Sequence, residues 1–197
     1  MFDDFFNAIA GNVVLRRALE VACVGGHTVG LCGNADDFPV PVPAAFSPVV
    51  CRMALVAPCP CGNLRSPRPC SCRPGQIRRY QQGDDYRHLL TADILVEIVS
   101  PTFEEAMRHE PEEPWDIVLP RILEAQKRPI PLLPAPPAGR RLAAIDFLKT
   151  AYTHLAMTPR RLRQVCAVAG SIARLAAADQ IRVEHVAEAA QYGRLPV

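Results

Sequence analysis

"MTPRRLRQVCAVAGSIARLAAADQIRVEHVAEAAQY", residues 157 to 192, has no proline after its third residue and brings apolar side chains back at steps of three and four. Thr158 followed by Pro159 is a helix start: the hydroxyl can cap a free amide, and the proline fills a first-turn position that needs no amide hydrogen. Leu162, Val165, Ala169, Ile172 and Ala176 then share one face, which predicts a long amphipathic helix. "VEHVAEAAQY", residues 183–192, predicts another, and from Arg141 onward the chain reads as helical. Residues 140–197 are therefore expected to form a small all-helical unit.

Toward the N-terminus the pattern changes. In "GNVVLRRALEVACVGGHTVGLCGN", residues 11–34, Asn12 is a candidate cap, Val14 or Leu15 joins Ala18, Leu19 and Ala22 on one helical face, and Gly25 and Gly26 end the run. Thr28 to Cys32 reads as a buried strand, "VVCRMALVA" (49–57) as a second and "ADILVEIV" (92–99) as a third, with "GQIRRYQQGDDYRHL", helical at first, between the last two. Strands alternating with helices predict an α/β portion over residues 1–100. The proline-rich stretches "EPEEPWD" and "RPIPLLPAPPAG", around a short helix in "IVLPRILEAQKR", make residues 101–139 a connector.

Of 197 residues, 49% are apolar and 21% charged, close to the globular average, and the length allows one domain or a domain with a small companion. No stretch reaches the roughly 18 uncharged apolar residues of a membrane span, and "MFDDFF" is acidic where a secretory leader is basic. A cytoplasmic protein without a membrane partner is expected. In a reducing compartment, its eight cysteines point to metal binding, burial or reactivity rather than disulfides.

Four of those cysteines fall in "APCPCGNLRSPRPCSCRPGQIRRY", residues 57–80, which also holds five arginines and no acidic residue. Cys59-x-Cys61 and Cys70-x-Cys72 form two thiol pairs that can close a tetrahedral shell on Zn2+, with Pro58, Pro60, Gly62 and Pro69 suited to the sharp turns between them. Free thiols in a loop, or a redox-labile disulfide, are the alternatives. Cys23, Cys32, Cys51 and Cys166 sit in apolar runs and read as small core residues. Arg65, Arg68, Arg73, Arg78 and Arg79 are candidate contacts to nucleic-acid phosphates; the competing reading is a solvated loop, with only Tyr80 nearby to stack on a base. A second basic cluster lies at Arg140, Arg141, Arg160, Arg161 and Arg163. His27, His88, His109, His154 and His185 are scattered without metal-ligand spacing, and the pairs Asp84/Asp85 and Glu104/Glu105 suit helix starts.

The cysteine segment from Pro58 to Tyr80 resembles a Cys-rich stretch of the magnesium-chelatase-like AAA+ ATPases of the ComM type. "RRALEVACVGGHTVGLCG" (16–33) is similar to the family's helix and strand leading into the phosphate loop, "ADILVEI" (92–98) to the strand after its arginine-finger helix, and residues 157–192 to its helical lid. The resemblance implies a reduced AAA+-like core with a Cys-rich loop at 57–80, plus a lid, in a family whose better-known members are hexameric helicases of DNA branch migration.

The nucleotide machinery of that family is missing from the sequence. A phosphate loop needs G-x-x-x-x-G-K-[ST], and neither Lys127 nor Lys149 has that context. After Gly33 the chain runs into "NADDFPVPVPAAF", where Asp36 and Asp37 would repel a triphosphate. The Walker B strand has no counterpart, Ala57 falls where the resemblance puts the sensor-one asparagine, and Thr91 where it puts the arginine finger. Only Arg160 falls on the position of the lid's nucleotide-sensing arginine. The expectation is a catalytically degenerate relative without independent ATPase activity, ATP and Mg2+ not being bound by this chain alone, that serves as a DNA-associated or protein-interaction module. The alternative is a ring subunit, self-associated or mixed with an intact AAA+ relative that supplies the nucleotide site. A third reading, a core too reduced to fold well, rests on the sheet edges that missing strands would expose.

Overall fold

Val29, Leu31, Ile94 and Val96 are almost wholly buried in short strands with hardly a polar side chain between them, the composition of a parallel sheet covered on both faces. The computed structural model describes residues 2–9, 12–38, 40–43, 52–107, 113–133 and 143–193. In chain order its elements are α1 (Phe2–Ala8), α2 (Val13–Gly25), β1 (Thr28–Cys32), β2 (Arg52–Val56), α3 (Pro74–Gln81), α4 (Asp84–Leu89), β3 (Ile94–Glu97), α5 (Phe103–Ala106), α6 (Trp115–Lys127), α7 (Ala143–His154), α8 (Pro159–Leu175) and α9 (Val183–Gln191). The sheet runs β2-β1-β3, all parallel, with Val29 opposite Met53 on one side and Ile94 on the other. This is the mixed helix and sheet arrangement that the alternating pattern predicts, with a helical C-terminal portion. None of the helices among the described residues is long and apolar enough to cross a membrane.

One face of the sheet packs on α2, which buries Leu15, Ala18, Leu19 and Ala22 and leaves Val14 exposed, so Leu15 is the member of the apolar face. Against the other face lies α4, whose Leu89 and Tyr86 meet Cys32 and Leu95. Behind α2 the core continues into the C-terminal helices through Val168, Ile172 and Val186, so one apolar cluster joins the two portions. Its other end is closed by Phe5 and Phe6, both fully buried, with the Phe6 ring 5.0 Å from that of Trp115 and the Arg16 guanidinium over its face. The acidic N-terminal hexapeptide thus contributes two core aromatics.

Helix α8 begins where Thr158 and Pro159 predict, with the Thr158 hydroxyl accepting from the Arg161 amide. It ends at Leu175, and Ala176 is exposed rather than part of the apolar face. Cys23 and Cys32 are buried and Cys166 half-buried; Cys51, His109, Arg140 and Arg141 lie outside the described residues. Arg174, buried in α8, donates to the carbonyls of Val24, Ala125 and Gln126, so one guanidinium caps the C-terminal ends of α2 and α6. At the sheet, β3 turns its outer edge to the end of α9, and the Leu95 amide donates to the Tyr192 carbonyl at 2.9 Å.

Candidate metal centre and its surroundings

Strand β2 delivers the chain to the C-terminal end of the sheet, where the Gly33 amide donates to the Val56 carbonyl at 3.1 Å and the cysteine segment begins. Three residues after buried Cys59 the backbone reverses at Gly62, whose φ of +79° favours glycine and whose amide donates to the Cys59 carbonyl. A β-carbon there would stand 3.2 Å from the Asn34 amide nitrogen, so the turn is seated closely on the residues that follow β1. Asn63 and Ser66 tie the next loop through the Pro69 carbonyl and the Arg68 amide, bringing Cys70 and Cys72 back toward Cys59 and Cys61.

The four sulfur atoms lie within 4.8 Å of one another, with Cys59 to Cys61 at 3.5 Å, Cys61 to Cys70 at 3.6 Å and Cys59 to Cys70 at 3.8 Å. Four thiolates about 2.3 Å from one tetrahedral zinc stand about 3.8 Å apart, whereas a disulfide needs about 2.05 Å. The spacing therefore fits a shared dication. The thiols differ electrostatically: amide hydrogen bonds from Asn63 and Ser71 hold Cys61 down at about 5, while desolvation and the neighbouring sulfurs push Cys72 up to about 12. One thiolate is thus ready to receive a cation, whose charge would displace the remaining protons.

The five arginines divide. Arg65 pairs with Glu97 at the end of β3 at 3.0 Å, and Arg68 spans Asp36 and Asp37 at 3.4 and 3.3 Å. Asp37, its side chain only 5% exposed, also accepts from the Ser100 hydroxyl at 3.0 Å. These contacts strap the cysteine segment across the ends of β1 and β3. Arg73, Arg78 and Arg79, by contrast, have no carboxylate within 4 Å among the described residues. Asp36 and Asp37, read from sequence as repelling phosphate, form a one-turn helix capped by Asn34 and face an arginine.

The residues singled out by resemblance to nucleotide-binding positions are dispersed. Ala57 is half-buried beside the cysteine turn, Thr91 donates its hydroxyl to the His88 carbonyl, and Arg160 is exposed in the first turn of α8. It is the next residue, Arg161, that reaches back to the α/β portion, donating to the carbonyls of Leu90, Ala92 and Asp93 at 2.9–3.2 Å. Gln164, one turn on, donates to the Thr91 carbonyl and to Asp93, whose other carboxylate oxygen accepts from the Thr28 amide and hydroxyl. Burial opposes ionisation of Asp93, yet those hydrogen bonds hold it below its ordinary value. Arg161 precedes Val165, Val168 and Ile172 at steps of four, three and four, a signal that the sequence carried and that Arg160 lacks. His27 and Ser171 complete this joint, Nε2 to Oγ at 2.8 Å, and a β-carbon on Gly25 would collide with both.

Residues 139–193 match the family described as magnesium chelatase, subunit ChlI C-terminal, a span that takes in α7, α8 and α9 and their joint with the sheet. No curated protein matches the chain. The helical unit with the Thr158–Pro159 start is similar to that C-terminal domain, and the match is confined to this part of the chain.

Proposed function

We propose that the protein is a catalytically degenerate AAA+-like relative of ComM type in which a zinc-stapled cysteine segment has replaced the nucleotide as the group seated at the end of β1, and that it acts as a DNA-associated module. The observation that carries this reading is the Arg68 bridge to Asp36 and Asp37: the place where the resemblance puts a phosphate loop holds two carboxylates, and an arginine already answers their charge. Cys59, Cys61, Cys70 and Cys72 would hold the zinc, which would fix the segment's turns. DNA association draws on the arginines left without acidic partners. Native mass spectrometry with and without ATP and Mg2+ tests it. One zinc per chain and no nucleotide adduct are expected; a nucleotide-bound species overturns the reading.

Exposed Arg160 favours a second reading, in which the chain joins a ring and offers this side chain to a nucleotide held by an intact AAA+ relative. Stimulation of such a relative's ATPase, lost in Arg160→Ala, would establish it.

A further inference from the structure

The unpaired arginines of the cysteine segment are not scattered. Arg73 and Arg79 line one depression of about 620 Å3 with Gln76 and Tyr80 of α3 and Pro60 of the first cysteine pair, while Arg78 does not line it. That volume lies within the roughly 300–1,000 Å3 range of small-ligand sites. No carboxylate lines it; the nearest acidic residues in sequence, Asp84 and Asp85, begin α4 and are absent from its wall.

The walls are held in place. Gln81 at the end of α3 donates to the Pro58 carbonyl at 3.1 Å, the Arg73 amide donates to Gln76 at 2.8 Å, and the Tyr80 ring rests edge-on against Tyr86, 6.4 Å between centroids. Two arginines and a half-exposed aromatic ring thus line one concavity that has no carboxylate in its wall. A guanidinium fork pairs bidentately with phosphate oxygens, and an aromatic face beside it accepts a base.

We propose that Arg73, Arg79 and Tyr80 form a subsite for single-stranded nucleic acid, the guanidiniums taking backbone phosphates and the tyrosine ring stacking on a base. A duplex keeps its bases inside the stack and cannot present one to Tyr80, which is what selects a single strand. Arg65 and Arg68 are excluded because Glu97, Asp36 and Asp37 already hold them. The inference rests on the DNA-associated reading above and sharpens it to three side chains.

Fluorescence anisotropy of the zinc-loaded full chain with labelled oligothymidylate, oligouridylate and a blunt duplex, at several salt concentrations, tests it. The expected result is tighter binding of either single strand than of the duplex. In Arg73→Gln/Arg79→Gln, the slope of log affinity against log salt should fall by about 1.4, two contacts at about 0.7 each. Tyr80→Ala should weaken binding about 10-fold with the slope unchanged. Preference for thymidylate over uridylate assigns the site to DNA, and the reverse to RNA; both support the subsite. Unchanged metal content and thermal unfolding show that the variants fold. If the wild type binds but neither variant differs from it, or the duplex binds as tightly, the subsite is overturned and DNA association stands. If no oligonucleotide binds, both fall.

Discussion

The helical domain at the C-terminal end and the cysteine segment are stabilised by different physics. Val165, Val168, Ala169, Ile172, Val186 and Ala189 are removed from water in a core that continues into α2 and the sheet. Between Cys59 and Tyr80, only Cys59 among the apolar residues is buried, and the chain is held by thiols, loop hydrogen bonds and ion pairs. Area burial is generic and cooperative; a segment held by four thiols around the proposed zinc would depend on individual atoms and on that ion. The two regions should therefore fail under different conditions.

The strongest way to separate them is metal removal. Structural zinc contributes on the order of 10 kcal/mol in small knuckles, so chelation should abolish hydrogen-exchange protection of the Gly62 and Gln82 amides while those of α8 remain slow. Simultaneous loss in both regions would show that the segment is part of the common core. The converse perturbation is Ile172→Ala. It should lower global stability by about 2–5 kcal/mol in denaturant titration without changing the zinc content.

The joint between the portions gives an intermediate effect. Ser171→Ala leaves the buried His27 imidazole without its partner and should cost about 1–3 kcal/mol. Burial holds His27 below its ordinary value, with Asp93 opposing, and His185 is depressed in the same direction, again by burial first. The unfolded chain therefore takes up protons near about pH 6.5 before the folded one does, and stability present above that pH is lost as pH falls through the folded values. Chemical denaturation between about pH 7 and 5 should show the decline, and His27→Gln should flatten part of it. Asp93, a depressed carboxylate, loses its contribution only at lower pH.

The smallest effect belongs to the strap. Arg68 is about half exposed, so Arg68→Ala should cost under about 1 kcal/mol in thermal unfolding despite two carboxylate partners. A large destabilisation would mean that the buried Asp37 depends on this guanidinium far more than an exposed ion pair allows.

Periodicity and cap chemistry made the helical domain legible, because Thr158, Pro159 and the apolar stripe after them act within a few residues. The three strands were legible for the same local reason, although their pairing order was not. What escaped notice acts across distance. Asp36 and Asp37 meet Arg68 over more than thirty positions, and nothing in either stretch announces the other. Phe5 and Phe6 were masked by their acidic neighbours: Phe6 lies beside Trp115 of α6, more than a hundred residues on, and Phe5 beside Phe38. Arg160 drew attention through resemblance, whereas Arg161, on the inward stripe of the same helix, makes the contacts.

The hydrogen bond from Leu95 to the Tyr192 carbonyl also bears on how the protein is made. During synthesis β3 leaves the ribosome well before α9, so a nascent chain carries an uncovered strand edge through the translation of α5 to α8. Such an edge templates pairing with other chains. The family-matched helices thus cover part of the β3 edge as well as forming their own bundle, and translational pauses between residues 97 and 192 would lengthen the interval in which that edge is open to aggregation.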